Sequence, residues 1–179
     1  MSHSLNVFNN IVWRSYRRVP IAKLPYQQRQ WVLDRGSLTK RLIQASCGDF
    51  NVEISRQLWA LPSLDERRVL NLPAGQRALV REVSLLCHGV VWVKARSIIP
   101  SKTLSGAEKQ LAHLGTRPLG AFLFKAKTMT RGPLQIATFK RPEHQAISAR
   151  RSVFFLHNKP ILVSEFFMPP IFSSTSSSS

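Results

Sequence analysis

Arg81 and Glu165 are opposite charges placed where strand alternation turns them inward. Within Ala78–Cys87, one set of alternate positions carries Leu79, Arg81, Val83, Leu85 and Cys87. Within Ile161–Met168, one set carries Ile161, Val163, Glu165 and Phe167. Successive side chains of a strand point to opposite faces, so each charge shares its face with apolar neighbours. A charge facing a core costs several kcal/mol unless it is paired and hydrogen-bonded. Two readings stay open: a buried Arg81–Glu165 ion pair, or a dry pocket where Arg81 holds a carboxylate and Glu165 meets a hydroxyl. Lys94 and Arg96 share the other face with Trp92, and solvent exposure is expected for both. The sequence has no nucleophile elbow, no Gly-rich phosphate loop and no Cys/His metal spacing, and its five His are scattered. The expectation is therefore no metal.

The elements that must position these residues read as hairpins alternating with short helices. Tyr26–Leu33 and Leu38–Ala45 read as helices, with Gly36-Ser37 as stop and N-cap. Phe50–Leu58 reads as a strand, and Ser63-Leu64-Asp65-Glu66 has capping-box form. Ala78–Cys87 and Val90–Ile99 are β-rich runs joined by His88-Gly89. Leu104–Leu114 reads as a helix ended by Gly115, and Pro118–Phe124 as a further turn or two. Lys127–Ala137, Ser152–Leu156 and Ile161–Met168 read as strands, the last two joined through His157-Asn158-Lys159-Pro160. Without βαβ regularity, this pattern predicts an α+β fold with an antiparallel sheet.

The chain has 179 residues, 44% of them hydrophobic, which is enough for one domain with a real core. Residues 1–170 are expected to form that domain and residues 171–179 a disordered Ser-rich tail. Two Cys, Cys47 and Cys87, cannot make a disulfide scaffold; they read as small buried hydrophobes in a reducing compartment. No apolar run is long enough to span a membrane. Lys plus Arg number 26 against 9 Asp plus Glu, a formal charge of +17. The first acid is Asp34, and only Glu143 and Glu165 follow Lys109. Such an excess attracts polyanions, anionic membranes or small anionic substrates alike. No zinc-finger spacing, basic-plus-heptad region or aromatic RNA-binding motif accompanies it.

The chain resembles the chorismate pyruvate-lyase family from about Trp13 to Pro169, in blocks whose order and spacing carry the likeness. They include Trp31-Val-Leu-Asp-Arg-Gly-Ser-Leu-Thr-Lys-Arg-Leu42, Leu79-Val-Arg-Glu-Val83 with Gly89-Val-Val-Trp92, and Ala95-Arg-Ser-Ile-Ile-Pro100. Further blocks are Leu114-Gly-Thr-Arg-Pro-Leu-Gly120, Arg150-Arg-Ser152 and Lys159-Pro-Ile-Leu-Val-Ser-Glu-Phe-Phe-Met-Pro169. The resemblance implies an antiparallel sheet of about six strands, helices packed against it, and an internal ligand cavity. It implies cofactor-free elimination of pyruvate from chorismate to give 4-hydroxybenzoate, the first step toward ubiquinone, by a cytoplasmic monomer with no specific nucleic-acid partner.

Position by position, the resemblance implies four ligand contacts. Arg81 binds a substrate carboxylate, Glu165 meets the ring hydroxyl, the Leu119 backbone faces the carboxylate, and Leu38 sits in a flap where Met is common. Arg81 and Glu165 are the implied catalytic pair. Ser148-Ala149, where Trp-Gly is usual, is a departure that bears on packing around Arg150 and Arg151. The alternatives are a non-catalytic carboxylate sensor of the same fold or a basic nucleic-acid binder. Sensors of this kind carry a winged-helix domain ahead of the fold, and too few residues precede Tyr26 to form one.

Overall fold

The computed structural model describes residues 8, 11–141 and 144–173. In chain order the elements are β1 (Arg14–Ser15), α1 (Tyr26–Val32), α2 (Leu38–Ala45), β2 (Phe50–Ala60), α3 (Leu64–Leu70), β3 (Ala78–Cys87) and β4 (Val90–Pro100). There follow α4 (Leu119–Lys125), β5 (Thr130–Arg131), β6 (Gln135–Arg141), β7 (His144–Leu156), β8 (Lys159–Phe167) and α5 (Pro170–Ser173). All strands join one antiparallel sheet in the order β1-β6-β7-β8-β4-β3-β2, with β5 also on β7. The fold is α+β as expected, and six of its eight strands are long.

Turn chemistry fixes the two hairpins that frame the site. His88 and Gly89 both have positive φ, +52° and +71°, as do His157 and Asn158 at +47° and +63°. Two consecutive left-handed residues match the twist of the flanking strands, which sets register without a longer loop. That register lays two rows across the sheet: Arg81–Ser97–Val163–Ser152 and Val83–Ala95–Glu165–Arg150. Directly paired residues share a face, so all eight look toward the same side.

Helices cover that side in two groups. Around α1 and α2, the side chains Trp31, Val32, Leu38 and Leu42 pack on Val52, Leu85, Trp92 and Phe167. Around α4, the side chains Leu119 and Leu123 join Leu111 and Leu114 against Leu79, Ile99, Phe154 and Val163. The site lies between the two groups. On the opposite face α3 is capped as expected, with Ser63 Oγ accepting from the Glu66 amide and Glu66 from the Ser63 amide.

Five expectations change. Leu104–Leu114 contains a 3-10 helix, Gly106–His113. Lys127–Ala137 breaks into β5 and β6 at Gly132-Pro133, since Pro133 has no N–H to donate to a ladder. Arg96 is not free in solvent: it bonds Glu66 at 2.7 and 3.0 Å and also pairs with Glu82, its cross-strand neighbour. Cys47 is exposed on a left-handed residue, φ +51°, while Cys87 is buried. The packed chain also runs past residue 170, with Ile171 and Phe172 buried in α5; the Ser-rich stretch 174–179 lies outside the described residues.

Candidate active site

Arg81 projects from β3 with 2% of its surface exposed. Its Nη1 donates to Gln57 Oε1 at 2.9 Å, and its Nη2 to the carbonyls of Gly115 and Arg117 at 2.8 and 3.2 Å. Gln57 is itself oriented by donating Nε2 to the Ala112 carbonyl at 2.9 Å. The guanidinium is thus held by neutral acceptors from β2 and the loop before α4. Among the described residues, no carboxylate lies within ion-pair distance of it. Burial pushes its pKa below the ordinary arginine value.

Glu165 projects from β8 and pairs with Arg150, not with Arg81. Arg150 Nε donates to Glu165 Oε2 at 2.5 Å. The same guanidinium donates to the carbonyls of Trp31, at 3.0 Å, and Asp34, and its carbon stands 5.4 Å from the Phe167 ring centre. Of the two readings left open by the sequence, the buried Arg81–Glu165 ion pair is therefore not formed, because the cross-strand neighbour on β7 takes the carboxylate. Ser148, at the departure before Arg150, is fully buried and bonds the Gln28 side chain, which ties β7 to α1.

A cavity of about 40 Å³ joins these groups. Arg81, Arg131, Arg150 and Glu165 line it together with Leu38, Leu119 and apolar or small residues of β3, β4, β8 and α4. Leu38 is the first residue of α2, behind the Ser37 cap, and Leu119 the first of α4. The two helix starts close over the cavity in near contact. A Cβ built on Gly120 would stand 2.8 Å from Thr39 Oγ1, so the approach requires a residue without a side chain there. All four residues expected at the site line this one chamber.

Arg150 and Arg131 were not among the expected site residues. Both belong to the lining, so three guanidiniums face one carboxylate in a mainly apolar chamber. Such a chamber suits an anionic ligand with a carboxylate for Arg81 and a hydroxyl donor for Glu165. A signal for Arg150 existed in its register opposite Glu165, had the strand been extended N-terminal to Ser152. For Arg131 there was none in the strand pattern, since β5 has only two residues. Among the described residues, no cluster of three or more His, Cys, Asp or Glu side chains is placed to hold a metal ion.

A profile of the chorismate lyase family matches residues 7–177. The chain is 45% identical over 155 residues to a protein of Methylococcus capsulatus named "Probable chorismate pyruvate-lyase", covering 80% of this chain and 95% of that one. A Coxiella burnetii protein of the same name is 32% identical over 177 residues, covering 93% and 96%. Among solved structures, the C-terminal domain of the histidine utilization repressor of Pseudomonas syringae is similar with a TM-score of 0.56 at 8% identity, covering 68% of this chain and 92% of that one. A GntR-family transcriptional regulator of Enterococcus faecalis gives a TM-score of 0.51 at 17% identity, covering 66% and 94%. At such identities the structural likeness speaks for the fold alone.

Proposed function

The chain belongs to the chorismate lyase family, and on that premise we propose that it removes pyruvate from chorismate to leave 4-hydroxybenzoate. The observation that carries this reading is the buried Arg81, held by neutral acceptors and free of any described carboxylate, in the same cavity as Glu165. In the reaction the C3–O bond of the enolpyruvyl ether breaks and C4 loses its hydrogen. The ring becomes aromatic, and the departing enolpyruvate gains a hydrogen at its methylene to become pyruvate. One substrate supplies every atom, so the protein's work is to fold and orient a dianion and to stabilise charge on the ether oxygen. Arg81 holds the ring carboxylate, for which a guanidinium's fork is better shaped than an ammonium. Glu165 accepts from the 4-hydroxyl; its bond from Arg150 fixes the carboxylate's aim. Leu38 and Leu119 close the chamber against water.

This reading makes the protein a cytoplasmic monomer that acts without a cofactor at the first step toward ubiquinone. Among the described residues no helix is long and apolar enough to cross a membrane. Incubation of the purified protein with chorismate is the direct test. Equal amounts of 4-hydroxybenzoate and pyruvate are expected. Binding without turnover would move the protein to the second reading, a non-catalytic carboxylate sensor of the same fold.

A further inference from the structure

Chorismate carries two carboxylates, and the reading above places only one of them. The chamber has one other guanidinium without an acidic partner. Arg150 is neutralised by Glu165. Arg131 has no carboxylate within ion-pair distance among the described residues. Its Nε donates to Ser152 Oγ at 3.1 Å and its Nη1 to the Arg35 carbonyl at 3.3 Å, while its carbon lies 5.0 Å from the Phe154 ring centre.

Ser152 is the far end of the row Arg81–Ser97–Val163–Ser152. Three strand steps separate the ends, about 14 Å at the usual spacing, and long side chains reach inward from both. Ser97, Val163, Ala95 and Glu165 make the floor between them. The positions match the order of substituents on the ring. In chorismate, C1 carries one carboxylate, while the C3 ether and the C4 hydroxyl are adjacent at the other end. Arg131 and Glu165 likewise line one cavity. We propose that Arg131 binds the second carboxylate, on the enolpyruvyl arm, and so makes the chamber selective for dianions. Burial, followed by the neighbouring Arg150 charge, pushes the Arg131 pKa down to about 10, a strain that an incoming carboxylate relieves.

This assignment rests on the lyase reading, and its test separates the two. Wild type, Arg131→Gln and Arg131→Lys are compared in three measurements. These are chorismate turnover, calorimetric affinity for 4-hydroxybenzoate with its one carboxylate, and affinity for 3-(1-carboxyvinyloxy)benzoate, an unreactive dicarboxylate. Arg131→Gln should lose about 30-fold or more in chorismate kcat/KM and in dicarboxylate affinity, the scale of one charge-assisted contact. Its affinity for 4-hydroxybenzoate should stay within about threefold of wild type, and Arg131→Lys should recover part of the loss. A thermal melt monitors folding of each variant. Equal losses for the mono- and dicarboxylate, or unchanged chorismate kcat/KM, would overturn the assignment. Dicarboxylate binding that is lost in Arg131→Gln, with no wild-type turnover, would sink the lyase reading and leave the Arg131 site standing.

Discussion

Arg81 was legible in the sequence because its alternate neighbours are apolar, and an inward charge among them needs a reason. Glu165 was legible on the same ground. Arg150 was not, because it sits beside Arg151, and two consecutive arginines look like a solvated pair. Both are buried, on opposite faces: Arg150 reaches Glu165, while Arg151 bonds Asp65 and lies over Trp13. What hid the site was thus a partner on each side of the sheet, a tertiary fact. Removing Arg81 should show its role as a carboxylate receptor. Arg81→Gln should weaken 4-hydroxybenzoate binding by about 2–5 kcal/mol, since the ligand's carboxylate is left unpaired in a closed site. Unchanged affinity by titration calorimetry would refute that role. Glu165→Gln tests a different step. Full turnover in that variant would rule out proton abstraction by the carboxylate, and a lower melting temperature is expected in either case, because Arg150 loses its buried partner.

At the scale of elements, hairpins and caps were readable because their signals are local. His88-Gly89 and Ser63 through Glu66 each specify their own geometry within four residues. The break at Gly132-Pro133 and the extension of β7 to His144 depend on strand partners, which local pattern does not carry. Two predictions belong here. The near contact of Gly120 with Thr39 makes the meeting of α2 and α4 a latch over the cavity. Gly120→Ala should prop it open and speed release of bound 4-hydroxybenzoate severalfold in stopped-flow displacement; an unchanged off-rate would mean that the lid opens elsewhere. The turn between β7 and β8 is pinned to the Gly106–His113 segment by Glu108, which bonds Lys159 and His157, each at 2.7 Å. The Lys159 bond, aided by His157 and opposed by burial, lowers the Glu108 pKa from 4.5 to about 2. A pKa lowered on folding stabilises the native state above the unfolded value and ceases to do so as pH falls through the folded one. Melting temperatures should therefore fall between pH 4.5 and about 2, and Glu108→Gln should flatten that part of the curve.

For the whole molecule, the net charge of +17 first suggests a polyanion partner. The structure redistributes part of it, because Arg81, Arg150 and Arg151 are buried, Arg96 is paired with Glu66 and Glu82, and Arg131 is half-buried against the cavity. Each meets an acid, a carbonyl or the cavity, so none of these five offers its charge freely to a polymer's phosphates. The remaining surface excess still acts at long range on a small dianion. It raises the encounter rate by an amount that salt removes as the screening length shrinks from about 30 Å at 0.01 M to about 8 Å at 0.15 M. Chorismate kcat/KM should therefore fall severalfold between those salt concentrations while kcat stays level, because kcat reports the closed complex, in which bulk ions are excluded. A nucleic-acid binder gives a different pattern. Its affinity for duplex DNA falls with a log–log slope set by the number of phosphates neutralised, and chorismate leaves it unmoved. Measuring both salt profiles on one preparation decides between them. A steep DNA slope beside a flat kcat/KM would assign the surface charge to a polyanion, whereas a falling kcat/KM with negligible DNA binding at 0.15 M salt would assign it to steering the substrate.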